Sequence, residues 1–211
     1  MAISKVNYNS LNVTPTASKF LMWDSDADAL QASDVGGSLK LISTQTASDS
    51  STITFSSGID STYKEYIVKW INVHPNSNDQ QLTVNFRDGS TAYDATKTST
   101  AFRVGHAEDD SGTELGYQNG QDLAQSTSAQ SIHYTGNANE ATSSGTLHLF
   151  DPSNTTFMKH YILINSADRN GQCEQQYIAG YCNVTAAIDG IQFGTNTSTI
   201  GSGTFKLYGV S

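Results

Sequence analysis

Residues 63–88 carry the clearest strand signal in the chain and read YKEYIVKWINVHPNSNDQQLTVNFRD. In the second half of this stretch, Leu82, Val84 and Phe86 alternate with polar residues, and a period of two predicts a strand with one buried and one solvated face. The first half, EYIVKWINV, is apolar on both faces, which is typical of a central strand or of one whose outer face is covered. Residues 75–79 carry turn chemistry. The stretch therefore predicts a hairpin of two long strands.

A similar pattern recurs in the second half of the chain. Thr52–Val68 is echoed by Thr146–Ile162, and Gln80–Val84 by Gln175–Ala179, at an offset of 94 to 95 residues. Two interpretations are open: two units of similar polarity align by chance, or each half of the chain supplies a similar set of strands to one sandwich. Both interpretations predict a fold that is organised by β-pairing.

Composition and charge favour one globular β domain with an extra segment. The chain has 211 residues, of which 15% are charged, and its formal net charge is −9. A chain of this length can bury a substantial core without staples. Disordered chains combine low hydrophobicity with high charge, whereas low charge with many Ser, Thr and Asn residues favours β-structure with polar surfaces. The basic residues form no cluster, and because phosphate-backbone binding needs one, we expect no nucleic-acid partner.

Neither a membrane span nor an export signal is predicted. No stretch approaches the roughly 18 consecutive apolar residues of a membrane helix. The first twenty residues lack the apolar run that a signal peptide needs. We therefore expect synthesis in the cytoplasm without export by the usual route, and no membrane partner.

Turn signals divide the rest of the chain into eight to ten candidate strands. Beyond residues 63–88, the main candidates are 99–106, 131–134, 145–150, 156–165, 175–184, 188–193 and 203–210. Many short strands at this spacing predict an all-β protein with a jelly-roll-like β-sandwich. Residues 1–45 are polar with isolated apolar positions and predict an extended N-terminal attachment arm, which assigns the sandwich to 46–211. Residues 107–130 are polar and acidic and predict an exposed loop, where recognition often resides.

No pattern of catalytic or cofactor-binding residues stands out. The sequence has no Gly-x-Ser-x-Gly elbow and no phosphate-cradling glycine loop, and we expect neither enzymatic activity nor a cofactor. Asp24–Asp28 begins like a calcium loop, but Ala29 and Val35 stand where Gly and Glu are needed. A solvated acidic turn is therefore favoured. The same interpretation is favoured for Glu108–Asp110 over binding of a cation or of basic groups on a partner.

Histidine and cysteine offer no strong metal or redox motif. Only His148 and His160 could face each other across a hairpin, and two ligands without a carboxylate make a weak metal site. No bound metal is therefore expected. Cys173 and Cys182 lack the spacing of a zinc or redox motif. Two buried free thiols are favoured over a disulfide across a hairpin.

Three further stretches carry structural residues rather than reactive ones. They are GSLKLI (37–42) leading into STITF (51–55) and YKEY (63–66), SGTLHLFDP (144–152) with KHY (159–161), and GTFKLYG (203–209) preceded by AIDGIQF (187–193). Together they resemble a group of small virion proteins that are common in cyanophages and other marine tailed phages. The resemblance implies an exterior virion component with a jelly-roll-like body and an N-terminal attachment arm, in a homotrimer or another symmetric assembly. It supplies no catalytic residues.

The leading expectation is a capsid decoration (cement) protein on the virion surface, whose arm lies on the shell of major capsid protein while its body packs against sister copies. A ligand that binds only the assembled lattice stabilises that lattice by mass action. The alternative is a receptor-binding protein of a tail fibre or spike, which recognises a host surface glycan through loops such as 107–130. Aromatic residues are concentrated on predicted strands, which favours core or subunit-contact roles over stacking on sugars.

Overall fold

The structure is a computed structural model that describes residues 19–23, 26, 30–34 and 39–211. The chain divides into two compact units, residues 1–38 and 39–211. In the first unit, β1 (Lys19–Trp23) and β2 (Leu30–Asp34) form an antiparallel pair, as expected of a segment with one or two short strands. Of the acidic stretch Asp24–Asp28, only Asp26 is among the described residues, and it is exposed in a turn.

The second unit consists of 13 strands joined by turns and loops. They are β3 (Leu39–Ser50), β4 (Thr52–Phe55), β5 (Glu65–Pro75), β6 (Gln80–Arg87), β7 (Lys97–Ala107), β8 (Thr113–Tyr117), β9 (Leu123–Ser126), β10 (Gln130–Thr135), β11 (Ser143–Phe150), β12 (Lys159–Asp168), β13 (Gln172–Cys182), β14 (Gly190–Thr195) and β15 (Ile200–Val210). The all-β class predicted from the sequence is confirmed.

These strands form two antiparallel sheets that pack face to face. The large sheet has the order β3-β15-β5-β11-β12-β13-β7-β8, with β9 also paired to β7, and the small sheet has the order β10-β6-β14-β4. Aromatic rings meet between the sheets: the ring of Phe193 on β14 lies 5.1 Å from that of Phe205 on β15 and 5.8 Å from that of Trp70 on β5. The unit is therefore a β-sandwich whose core lies between its two sheets.

Strand β5 lies in the middle of the large sheet, between β15 and β11, which confirms the central position predicted from its apolar faces. The Trp70 indole is buried in the core and donates a hydrogen bond from Nε1 to Asn165 Oδ1 at 2.8 Å. Gly145 on β11 lies directly beside the indole, where a Cβ atom would approach a ring carbon to 2.3 Å. The close approach of Trp70 therefore requires glycine at position 145.

The predicted hairpin over residues 63–88 is wrong. Strand β5 belongs to the large sheet and β6 to the small sheet, and the turn between them carries the chain from one sheet to the other. The alternation in β6 is nevertheless right, because Leu82, Val84 and Phe86 are all buried. Alternation specifies which face of a strand is buried, but it does not specify the strand with which it pairs.

Three other expectations differ from the structure. The apparent repeat does not produce two equivalent halves, since Thr52–Phe55 lies in the small sheet and its echo Thr146–Leu149 in the large one. The compact unit begins at Leu39, within the predicted arm of residues 1–45, because β3 pairs with β15 along its length. Residues 107–130 are not only a loop, since they include β8 and β9 at the edge of the large sheet.

Candidate interaction surface

Strand β7 presents two large apolar side chains to solvent and several polar side chains to the interior. Phe102 and Val104 are 43% and 39% exposed, whereas Lys97 and Ser99 are buried on the opposite face. This arrangement inverts the usual rule for a sandwich strand. Polar side chains are therefore buried on the inner face of the large sheet near β7, and apolar side chains are exposed on its outer face.

The exposed side chains of β7 belong to a continuous apolar surface, which we call the outer patch. It consists of Phe102 and Val104 on β7, Leu115 and Tyr117 on β8, Ile162 and Ile164 on β12, and Tyr177 on β13. Strand register places Ile164, Tyr177, Phe102 and Tyr117 in one row across four strands. None of these side chains is charged, although the chain as a whole carries a net charge of −9. Contiguous apolar surfaces of this kind mark sites of interaction with other molecules.

A groove of about 350 Å³ lies next to the outer patch, and Ile162 contributes to both. Its lining includes the rings of Phe150, His160 and Tyr181 and the side chains of two threonines, Thr98 and Thr100. His160 and Tyr181 are opposite each other on β12 and β13, with ring centroids 5.6 Å apart. Rings beside hydroxyl groups form a surface that combines apolar contact with hydrogen bonding.

The interior behind β7 and β13 contains a charged cluster. Glu174 is buried, and its Oε2 lies 2.8 Å from His133 Nε2 and 3.4 Å from Arg103 Nη1. The contact with His133 is close but is not aligned as a hydrogen bond. Burial alone would raise the pKa of Glu174, but the close contact with His133 and the positive charge of Arg103 outweigh burial and hold that pKa below its ordinary value. Arg103 also pairs with Glu114 on β8, which connects the cluster to the surface.

Two buried lysines flank a buried cysteine at the other end of the same strands. Register places Cys182 on β13 between Lys159 on β12 and Lys97 on β7, and all three are fully buried. Lys159 Nζ donates to three main-chain carbonyls at 2.7 to 3.2 Å. Lys97 Nζ donates to the Ala95 carbonyl at 2.6 Å and to Asn85 Oδ1 at 2.5 Å. Burial lowers the pKa of Lys97 to about 8 and raises that of the Cys182 thiol to about 12.

Sequence reasoning missed these buried charges, because a charged residue on a strand usually indicates the solvated face. One signal was available for Lys159. It stands in phase with Tyr161 and Leu163, which alternate with exposed residues along β12. For Lys97 the alternation was misleading, since Phe102 and Val104 are the large apolar residues of β7 and both point outward.

The histidines considered as metal ligands are held apart. Strands β11 and β12 do pair, but register places His148 opposite Ile162 rather than opposite His160. His148 Nδ1 lies 2.5 Å from Glu65 Oε1, while His160 packs against Tyr181. Within the part of the chain that the structure describes, no three His, Cys, Asp or Glu side chains are grouped as a metal site requires.

The two cysteines are free and cannot form a disulfide with each other in this fold. Both lie on β13, nine residues apart, which corresponds to about 30 Å along a strand. Cys182 is buried but Cys173 is exposed, and the prediction of two buried free thiols is therefore right for one of them.

The acidic run Glu108–Asp110 lies in the connection between β7 and β8, where Asp110 Oδ1 lies 3.1 Å from His106 Nε2.

The chain matches no protein-family model, and neither a curated protein nor a solved structure is significantly similar to it. Among residues 19–23, 26, 30–34 and 39–211, no helix is long and apolar enough to cross a membrane. The fold, the outer patch and the groove are therefore the features that bear on function.

Proposed function

We propose that this chain is a non-enzymatic structural protein on the exterior of a phage virion, and specifically a capsid decoration protein that stabilises the assembled head. The outer patch carries the proposal. Copies of a chain with a net charge of −9 repel one another, and an uncharged apolar surface offers a place where they can associate. The sandwich forms a homotrimer through the outer patch, while the N-terminal segment binds the major capsid protein.

The order of the strands supports a jelly-roll body for this role. If β3, β4, β5, β6, β10, β11, β14 and β15 are numbered one to eight, the two sheets contain the orders 1-8-3-6 and 2-7-4-5, as expected for two interlocked Greek keys. Strands β7 to β9 and β12 to β13 are then insertions that widen the large sheet. All seven residues of the outer patch lie on these inserted strands, which fits a jelly roll to which an interaction surface has been added.

The copy number of the protein in purified virions tests the proposal. Quantitative mass spectrometry against the major capsid protein should give a ratio near one or a simple fraction of one, because a decoration protein follows the capsid lattice. A ratio that corresponds to only a few tens of copies or fewer would overturn the decoration role and place the protein on the tail.

The groove supports a second candidate function, recognition of a host surface glycan by a tail fibre or spike protein. Phe150, His160 and Tyr181 supply rings on which a sugar can stack, and Thr98 and Thr100 supply hydroxyls. A glycan array probed with a multivalent form of the protein tests this candidate. A hit that is abolished in Tyr181→Ala, and retained in Leu41→Ala on the distant strand β3, would favour it. The absence of any hit at high multivalent concentration would count against it.

A further inference from the structure

The side chain of Lys97 bridges the two sheets inside the sandwich. Lys97 lies on β7 of the large sheet and Asn85 on β6 of the small sheet, and Nζ lies 2.5 Å from Asn85 Oδ1. Lys97 has no exposed surface, and Asn85 is 9% exposed. A primary amine is therefore held against a carboxamide in a site from which water is largely excluded.

The carboxamide of Asn85 is held at both of its ends. Its Oδ1 accepts a second hydrogen bond from the backbone N–H of Phe86 at 3.0 Å, and its Nδ2 donates to the Thr127 carbonyl at 3.2 Å. A backbone donor on a carbonyl oxygen stabilises the negative charge that develops there when a nucleophile adds to the carbon. The contacts of Asn85 therefore resemble those of an acyl group prepared for substitution.

The amine of Lys97 is placed in the state that a nucleophile needs. Burial disfavours the ammonium form and lowers the pKa of Lys97 to about 8, against opposing effects of Cys182, Asp94 and Asp88. Desolvated lysines of this kind act as nucleophiles in proteins. No carboxylate takes part in the hydrogen bonds of Lys97. With a pKa of about 8, roughly a tenth of the amine is neutral at pH 7 and most of it at pH 9.

We propose that Lys97 and Asn85 form an intramolecular isopeptide bond that joins the two sheets. The lone pair of Nζ adds to Asn85 Cγ, and the tetrahedral intermediate collapses with cleavage of the Cγ–Nδ2 bond. One proton passes from Nζ to Nδ2, which leaves as ammonia. The product is a secondary amide between the two side chains, and no oxidant or reductant takes part.

The bond would close a loop that includes residues 85–97 and would fasten β6 to β7 across the core. A cross-link restricts the unfolded chain and therefore stabilises the folded one.

The reaction is slow, because no hydrogen-bonded carboxylate is available to carry the proton from Nζ to Nδ2. Its rate increases as Lys97 loses its proton above pH 8. Lys159, the second fully buried lysine among the described residues, donates through Nζ only to main-chain carbonyls and has no carboxamide to attack.

Mass spectrometry of the purified full chain tests the proposal. The protein is measured after purification and again after prolonged incubation near pH 9, where the amine is mostly neutral. We expect a mass lower than the sequence mass by one ammonia molecule. Trypsin should then release peptide 70–87 linked to peptide 88–103, because an acylated Lys97 is not cleaved. The linked peptide separates this reaction from loss of ammonia at Asn119-Gly120 or Asn170-Gly171, which links no peptides.

Three variants make the assignment specific. Asn85→Asp should form no link, because an amine does not displace oxygen from an ionised carboxylate and the new charge would keep Lys97 protonated, and Lys97→Arg should form no link. Lys159→Arg should retain the link, because its side chain takes no part in the reaction. The proposal is overturned if the incubated wild-type protein keeps its sequence mass and yields peptides 70–87 and 88–97 separately, or if Lys97→Arg still contains a link to residues 70–87.

Discussion

The ring of Phe102 stacks on that of Tyr177 on the solvent side of the large sheet, with centroids 4.7 Å apart and an interplanar angle of 12°. The two residues are opposite each other on β7 and β13, and Ile164 and Tyr117 extend the row on either side. A cross-strand pair of this kind stabilises a sheet by up to about 1 kcal/mol, yet Phe102 remains 43% exposed. The row therefore retains apolar area that association with another molecule can bury.

We predict that Leu115→Asp dissociates the assembled protein without unfolding it. Leu115 is 76% exposed at the edge of the outer patch, and a charge there would have to be desolvated on association. The matched control is Leu41→Asp, since Leu41 is 51% exposed on β3 at the opposite edge of the same sheet. Sedimentation velocity should show monomers for the first variant and trimers for the second and for the wild type. A wild-type protein that is monomeric at all concentrations would contradict the proposed trimer.

The strands themselves could be predicted from the sequence, but their partners could not. The period of two in β6 identified the buried side chains of Leu82, Val84 and Phe86 correctly. The same signal is compatible with a hairpin and with a crossing between sheets, because both bury the same face of the strand. The short turn after Pro75 favoured the hairpin. In the structure, this turn instead leads from β5 in the large sheet to β6 in the small one.

The interaction surface was less accessible to sequence reasoning. Along β7, Phe102 and Val104 are the obvious core candidates, whereas the structure exposes them and buries Lys97 and Ser99. The reason lies in distant residues. Ser99 donates to Gln130 on β10 at 2.6 Å, and Lys97 donates to Asn85 on β6. Polar partners from the opposite sheet make the inward polar face of β7 stable, and no local pattern in β7 reports them.

We expect Phe193→Ala to lower the free energy of unfolding by about 3 to 5 kcal/mol, because it leaves a cavity at the contact between the sheets. Phe193 is fully buried and packs against both Trp70 and Phe205. Phe157→Ala is the matched control, since Phe157 is 70% exposed and its loss should change stability by only about 0.5 kcal/mol. Urea unfolding followed by tryptophan fluorescence measures both variants. Equal effects of the two substitutions would contradict the described core.

The charged cluster around Glu174 should make stability depend on pH in the acid range. The pKa of Glu174 is below its ordinary value of 4.5 in the folded protein, and the unfolded chain therefore binds more protons in this range. The contribution of Glu174 is present above its unfolded pKa and is lost as the pH falls through the lower, folded pKa. The contact with His133 and the positive charges of Arg103 and Arg169 favour the carboxylate.

Glu174→Gln tests this dependence. At pH 7 we expect a loss of about 1 to 3 kcal/mol, because the substitution removes a buried carboxylate from its contacts while Arg103 keeps its pair with Glu114. The difference between the wild type and Glu174→Gln should shrink as the pH falls below 4.5, the ordinary value for this group. Denaturant unfolding from pH 7 to pH 3 measures the difference. A difference that stays constant over this range would show that Glu174 does not titrate as described.

The two cysteines should differ sharply in reactivity. Cys173 is exposed, whereas Cys182 is buried and its pKa is raised to about 12 by burial, and only the thiolate reacts quickly. Titration of the native protein with Ellman's reagent should therefore detect one thiol, and a second should appear only in denaturant. Cys173→Ser should abolish the native signal, and Cys182→Ser should preserve it. Rapid native reaction of both thiols would contradict the position of Cys182 in the core.

Deletion of residues 1–38 should leave the sandwich folded but remove it from the capsid. The compact unit begins at Leu39, and β3 pairs with β15 from Leu39 to Ser50. A longer deletion, through residue 45, would remove part of this edge strand and confuse loss of binding with loss of stability. Thermal unfolding should therefore be unchanged for the shorter deletion, while its occupancy on capsids stripped of the wild-type protein should fall to background. Full occupancy by the shortened chain would show that the N-terminal segment is not the attachment arm.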